Sequence, residues 1–114
     1  MMTEAEVQSQ IRLSVSKDPS IRLWRNNVGM AYDRQGNPIH FGLCEGSSDL
    51  IGLKSIVVTP DMVGDVIAVF VGIECKGSRT PIQDNQIDFN RLLINMGARS
   101  GIVRSAEAAL KILS

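Results

Sequence analysis

An apolar run that ends in two charged residues constrains the fold of this chain more than any other feature. Residues 66–72 read VIAVFVG, and the chain continues as IECKG. A run of this length that is rich in β-branched residues predicts a strand. Because side chains alternate across a strand, Glu74 and Lys76 share one face at its end. The sequence therefore predicts a buried strand whose end presents a carboxylate and an ammonium side by side.

Two interpretations of this pair stay open at this point. Two solvent-facing charges at a strand end form a weak pair, which contributes about 0.2–1 kcal/mol. The alternative begins with Asp49 in GSSDLIG, at the start of another apolar strand. Hairpin pairing of the two strands through the turn-rich segment TPDMVGD would bring Asp49 beside Glu74. Adjacent carboxylates repel each other and call for a cation between them, and oxygen ligands suit Mg²⁺ or Mn²⁺.

The rest of the pattern predicts an α/β protein with a mixed sheet. We expect one domain, residues 1–114, because this length supports one core. Helices are predicted over Thr3–Ser16 with Thr3 as N-cap, over 80–97 with Thr80 as N-cap, Gln83 completing a capping box and Gly97 as the stop, and over 106–113. Strands are predicted over Ile21–Asn27, around a turn at Gly36-Asn37-Pro38, over 49–58, over 66–76 and in RSGIVRS.

Composition narrows the class of protein but leaves the partner open. No apolar run reaches the roughly 20 residues that span a bilayer, and the polar start MMTEAEVQSQ is unlike a signal peptide. Cys44 and Cys75 lack metal-site spacing, so we expect reduced thiols, a cytoplasmic protein and no membrane partner. The formal net charge of zero neither favours nor excludes a nucleic-acid partner.

The order of acidic residue, then Glu-x-Lys on a later strand, resembles the PD-(D/E)xK nuclease superfamily. The first motif reads Ser48-Asp49 where the family pattern has Pro-Asp, and the second reads Glu74-Cys75-Lys76. The flanking pieces resemble the stand-alone VRR-NUC (virus-type replication-repair nuclease) domain over nearly the whole chain. The resembling pieces are TEAEVQ, RLWRNNVG, GLCEGSSDLIG, TPDMVG, AVFVGIECKG and NQIDFNRLLINMGARSGIVRS.

The resemblance implies a restriction-endonuclease-like fold and a site for Mg²⁺ or Mn²⁺. The implied catalytic residues are Glu4, Asp49, Glu74, Lys76 and Gln86. Asp49, Glu74 and the backbone carbonyl of Cys75 would hold the metal, with Glu4 assisting. Glu4 and Glu6 compete for the first position, and Glu4 is preferred because it lies towards the apolar stripe of the first helix.

Contacts to DNA are expected from a second group of residues, Arg25, Asn27, Gly29 and Ser48. Asn27 and Gly29 suit a close approach of backbone to phosphate, whereas Trp24 and its flanking arginines fit a core strand with solvated charges equally well. Arg34, Lys54, Arg79 and Arg99 are further candidates without a positional argument.

The function that the resemblance implies is a metal-dependent, structure-selective DNA endonuclease that leaves 5′-phosphate and 3′-hydroxyl ends. The lack of an appended domain favours a homodimer that cuts four-way junctions, as a Holliday-junction resolvase does. Two alternatives stay open. One is a monomeric nicking or flap nuclease, and the other is a non-catalytic DNA-binding module on a nuclease scaffold.

Overall fold

A computed structural model describes residues 1–114, and it confirms the predicted α/β class. The chain forms three helices and six strands, and the strands pair into three two-stranded sheets, two antiparallel and one parallel. The prediction of one mixed sheet is therefore wrong. None of the helices has the length and apolar composition needed to cross a membrane. The chain divides into two compact units, residues 1–54 and 55–114, and each is described by itself.

Unit 1 contains one helix and four strands. Its elements are α1 (Glu4–Val15), β1 (Ile21–Arg25), β2 (Gly29–Tyr32), β3 (Pro38–Phe41) and β4 (Leu50–Lys54). β1 pairs antiparallel with β4, and β2 with β3. Thr3 caps α1 as predicted, since its hydroxyl accepts from Glu6 N while the Glu6 carboxylate accepts from Thr3 N, each over 3.2 Å.

The β2–β3 hairpin follows the prediction from its turn residues. Asp33 organises this turn, because its carboxylate accepts from the backbone N–H of Gln35 and Asn37 over 2.9 and 2.8 Å. Gly36 adopts φ +84°, a left-handed conformation that favours glycine. The bond from Asn37 N, with smaller contributions from its neighbours, lowers the pKa of Asp33. Local turn chemistry thus sets the register of this hairpin.

Unit 2 is a β-α-β arrangement followed by a helix. After a short 3-10 turn at Pro60–Met62, its elements are β5 (Val71–Cys75), α2 (Asp84–Asn95), β6 (Arg99–Val103) and α3 (Ala106–Leu113). β5 and β6 run parallel, with Glu74 opposite Ile102. The connection between parallel strands must cross over, and α2 provides it. Its core contains Leu93 of α2 and Val103 of β6, the two buried apolar residues of the chain.

The two faces of the β5–β6 sheet pack against different helices. A Cβ placed on Gly72 would meet Leu93 of α2 at 2.5 Å, and one on Gly101 would meet Ile112 of α3 at 2.1 Å. Alternation along the strands then places Glu74 on the same face as Gly72, the face that carries α2. This is the local reason why the charged end of β5 meets a helix rather than open solvent.

A predicted strand start, a predicted strand pairing and a predicted helix cap differ from the structure. The strand predicted from Val66 begins at Val71, because the ladder with β6 starts where Val71 lies opposite Arg99. Residues 66–70 lie outside any strand, and Val66 is 99% exposed. β4 pairs with β1 and β5 with β6, so the predicted hairpin between β4 and β5 is wrong. The N-cap of α2 is Gln83 and not Thr80, whereas Gly97 ends this helix with φ +94° as predicted.

Candidate active site

Three of the predicted catalytic residues come together in unit 2. Glu74 lies near the end of β5, Lys76 follows it, and Gln86 lies in the first turn of α2. Gln86 Nε2 donates to Glu74 Oε1 over 2.8 Å, and Lys76 Nζ lies 3.8 Å from the same oxygen. Gln86 and Lys76 therefore both approach the same carboxylate oxygen of Glu74.

Gln86 is held at both ends of its amide. While Nε2 contacts Glu74, its Oε1 accepts a hydrogen bond from Gln83 N over 3.0 Å. Gln83 N is one of the unpaired backbone donors at the start of α2, so this bond belongs to the N-terminal cap of the helix. The orientation of the amide follows from its neighbours, because the backbone N–H needs an acceptor and the carboxylate needs a donor. Gln86 therefore fixes Glu74 relative to the helix start.

Lys76 does not have the surroundings of a solvated surface charge. Its side chain is 7% exposed, whereas that of Glu74 is 42% exposed. Its backbone N–H donates to Val103 O over 2.9 Å, which extends the contacts between the two chain segments one residue past β5. An ammonium at this depth is strongly disfavoured unless a carboxylate accompanies it. The weak solvent-facing pair that the sequence left open does not describe this arrangement.

A cavity of about 240 Å³ opens beside Glu74 and Gln86. Phe89, Asn90 and Ser100 also line it, and Ser100 Oγ donates to Asn90 Oδ1 over 2.7 Å. Both recorded contacts of Glu74 fall on Oε1, which leaves Oε2 for another ligand. The half-exposed carboxylate thus has one oriented oxygen and one available oxygen at the edge of a small, mainly apolar cavity.

The remaining predicted catalytic residues belong to unit 1, and both are exposed. Asp49 immediately precedes β4, and Glu4 begins α1. The backbone carbonyl of Asp49 accepts from Asn26 N over 2.8 Å, and its side chain makes no recorded hydrogen bond. Glu6 serves the cap of α1, which gives it a structural task that Glu4 lacks. Because β4 and β5 do not form the predicted hairpin, the pairing of Asp49 with Glu74 rests on the family resemblance alone and stays a prediction, as does the preference for Glu4.

Sequence reasoning gave no role to the residue that organises the loop before Asp49. Asn26 Nδ2 donates to Ser47 Oγ over 2.7 Å and to the Ser48 carbonyl over 2.8 Å, and its Oδ1 accepts from Leu43 N over 3.0 Å. The amide of Asn26 thus makes all three hydrogen bonds within one loop, and these bonds position Asp49, the residue that precedes β4. The adjacent asparagines in RNN were the available signal, because asparagine at a strand end commonly bonds nearby backbone.

The predicted DNA contacts are distributed around this loop and the hairpin. Arg25, Asn27 and Ser48 are exposed. Gly29 begins β2, and a Cβ there would lie 2.4 Å from the ring of Phe41 on β3. Packing against that ring is therefore a sufficient reason for this glycine, and a role in approaching phosphate stays a prediction.

Arg104 is a second residue that the sequence did not single out. Its Nη1 donates to the carbonyl of Gly77, the residue that follows Lys76. The exposed segment after Lys76 is thereby tied to the end of β6.

Comparisons with protein families, with curated proteins and with solved structures find no match to this chain. The VRR-NUC resemblance consequently rests on the motifs quoted above. Neither unit contains a group of three or more His, Cys, Asp or Glu side chains arranged to hold a metal ion. What the structure adds is the geometry around Glu74.

Proposed function

We propose that the protein is a metal-dependent, structure-selective DNA endonuclease that works as a homodimeric Holliday-junction resolvase. The observation that supports this most is the contact of Gln86 and Lys76 with one oxygen of Glu74, over 2.8 and 3.8 Å. The sequence predicts that Glu74, Lys76 and Gln86 belong to one site, and these three residues are neighbours in unit 2. The restriction-endonuclease-like fold is part of the same proposal.

The donor chemistry of the site fits a hard divalent cation. Mg²⁺ takes oxygen ligands, and in enzymes of phosphate chemistry it commonly uses one or two carboxylates together with water and substrate phosphate. Glu74 has an oxygen available, and the carboxylate of Asp49 makes no recorded hydrogen bond. In the proposal Asp49, Glu74 and the carbonyl of Cys75 hold Mg²⁺ or Mn²⁺, with Glu4 assisting. The bound ion would supply Lewis acidity and a more acidic water.

The residues of the chain itself have distinct tasks in this proposal. Gln86 is a positioning residue, because its amide fixes the carboxylate of Glu74 and is itself fixed by Gln83. Lys76 carries the positive charge that would stabilise negative charge on the scissile phosphate or orient the attacking water. Its low exposure strengthens that electrostatic effect, since less solvent screens the ammonium.

A cleavage assay on a synthetic four-way junction tests the proposal. Wild type, Asp49→Asn and Lys76→Met are compared with Mg²⁺, with Mn²⁺ and with EDTA, and Lys111→Met serves as the matched control. Lys111 lies in the last turn of α3 and is exposed, so it changes the same charge away from Glu74. We expect paired, symmetric cuts in wild type and the control, and loss of at least about 100-fold in the two site variants.

Three outcomes separate this proposal from its alternatives. Cutting of flaps or nicked duplexes but not junctions, by a protein that light scattering shows to be a monomer, would replace the resolvase with a simpler nuclease. Binding of DNA without cleavage under every metal would leave a non-catalytic binding module. Equal activity in wild type and Lys76→Met would refute the role assigned to the lysine.

A further inference from the structure

Unit 1 contains an open cleft that the proposed active site does not use. It has a volume of about 850 Å³ and lies between α1, the loop after it, and β1. Its apolar lining includes Leu13, Ile21 and Leu23, and Leu13 is 67% exposed. A cleft of this size between a helix and a strand can accept an extended ligand.

The charged side chains of this cleft are all positive. Arg12 comes from α1, Lys17 from the following loop and Arg22 from β1. No lining residue between Ser9 and Leu23 is acidic. Arg12, Lys17 and Arg22 form no ion pair, because the one salt bridge of the chain joins Lys76 and Glu74. Three unpaired cations on three different elements create a positive potential along the cleft rather than at one point.

Asp18, the acid closest in sequence, is already satisfied. Its carboxylate accepts from Ser20 N over 2.9 Å and from Ser20 Oγ over 2.7 Å. The bond from the Ser20 hydroxyl, then that from its backbone N–H, lower the pKa of Asp18, and the charge of Lys54 on β4 acts in the same direction. These bonds keep Asp18 ionised and hold its carboxylate at Ser20. Asp18 does not line the cleft, and the three cations that do outnumber its single negative charge.

The polar groups of the cleft also suit phosphate oxygens. Ser9 and Arg12 lie one turn apart on the same face of α1, whereas the hydroxyl of Ser16, the C-cap, already donates to the carbonyl of Leu13 over 2.7 Å. Arg22 is held in place because its Nη1 donates to the carbonyls of Ile21 and Pro19 over 2.9 and 3.4 Å. Its Nε and Nη2 groups make no hydrogen bond within the chain, and neither does the Ser9 hydroxyl. Arginine, lysine and hydroxyl donors beside apolar surface match the phosphates and sugars of a nucleic-acid backbone.

We infer that this cleft binds the phosphodiester backbone of a nucleic acid, through residues other than those of the Glu74 site. The inference rests on the proposed function, because a nuclease must hold its polyanionic substrate along more than the scissile phosphate. The contacts involve charge and backbone, so the cleft contributes affinity without sequence preference.

The salt dependence of binding tests the cleft directly. Binding to a fluorescein-labelled duplex is measured by anisotropy in EDTA, for wild type, Arg12→Ala/Lys17→Ala and the control Lys111→Ala. Lys111 is exposed in the last turn of α3 and does not line the cleft. Each lost phosphate contact reduces the slope of log K against log salt by about 0.9 on duplex DNA. The double variant should lose about 1.8 from the slope, so that raising salt from about 50 to about 200 mM weakens the wild type about 12-fold more than this variant.

The result distinguishes failure of the cleft from failure of the proposed function. An unchanged slope in the double variant, or an equal change in Lys111→Ala, would overturn the cleft even if junctions are cleaved. A reduced slope in a protein that cleaves nothing would keep the cleft and refute the nuclease. Binding of phosphatidylserine vesicles but not DNA, lost in the same variant, would also overturn the assignment to nucleic acid. If circular dichroism shows that the double variant is unfolded, Lys17→Ala in the loop tests the same point with an expected change of about 0.9.

Discussion

The free energy of the hydrogen bond between Gln86 and Glu74 can be measured separately from the capping bond that Gln86 also makes. Gln86 donates to Glu74 over 2.8 Å and accepts from Gln83 N over 3.0 Å. A hydrogen bond to a charged group contributes about 1.5–3 kcal/mol, and a helix-capping interaction about 1 kcal/mol. Because the Glu74 side chain is 42% exposed, the lower end of the first range applies. We expect Gln86→Ala to lower the free energy of unfolding by about 2.5 kcal/mol.

A double-mutant cycle separates the two parts of this loss. The capping bond to Gln83 is lost with Gln86 whether or not Glu74 is present, so it cancels in the cycle. We expect a coupling energy of about 1–1.5 kcal/mol between Glu74→Ala and Gln86→Ala. The four free energies come from urea denaturation followed by circular dichroism, on condition that the m-value stays constant.

The control for this cycle uses a neighbour in the same helix turn. Asn85 is exposed, lines the same cavity and makes no recorded hydrogen bond. Its coupling to Glu74→Ala should stay within about 0.5 kcal/mol. A coupling for Gln86 that is no larger than that for Asn85 would refute the reasoning that Gln86 orients the carboxylate, and with it the main support for the proposed site.

Three further predictions concern the scaffold. Asn26→Ala should lower the free energy of unfolding by about 2 kcal/mol, since it removes one half-buried and two exposed hydrogen bonds. Asn27→Ala should change it by less than about 0.5 kcal/mol, and urea denaturation compares the two variants. The hydrogen bonds to the Asp33 carboxylate lower its pKa below 3.8. Their contribution to the stability of the hairpin is therefore complete above pH 3.8 and is lost as the pH falls through the folded-state pKa. A side-chain NMR titration that places the midpoint at or above 3.8 would contradict this. Gly52→Ala should destabilise the protein more than Gly101→Ala. The new Cβ would lie 1.8 Å from a fixed backbone oxygen in the first variant and 2.1 Å from the movable end of a side chain in the second. Thermal unfolding ranks the two variants, and the reverse order would contradict the steric argument.

The parts of the fold that the sequence predicts correctly depend on neighbours within a few residues. Thr3 caps α1, the hairpin turns at Gly36, and Gly97 ends α2, and each outcome follows from the backbone preferences of one residue and its immediate neighbours. The segment 66–70 shows what such reasoning misses. Its composition favours a strand, but a strand also needs a partner, and the ladder of β6 begins opposite Val71. Partner choice is set by long-range packing, which periodicity does not encode.

The start of α2 shows how a local misjudgement reaches the candidate site. The sequence predicts a capping box of Thr80 with Gln83, because threonine is a preferred N-cap residue and glutamine is not. In the structure Thr80 N instead donates to the carbonyl of Gly77 over 3.2 Å, and the helix begins three residues later. Capping preference alone does not predict this choice.

The later start is what gives Gln86 two partners at once. In a helix capped by Thr80, residue 86 would lie beyond the first turn, where the backbone N–H groups are already bonded within the helix. Its amide oxygen would then have no backbone donor, and only the contact to Glu74 would orient the side chain. With Gln83 as the N-cap, the free N–H fixes the amide oxygen, and the amide nitrogen must face the carboxylate. The position of the helix start and the orientation of Glu74 are therefore one structural feature, and a change that moves either should move both.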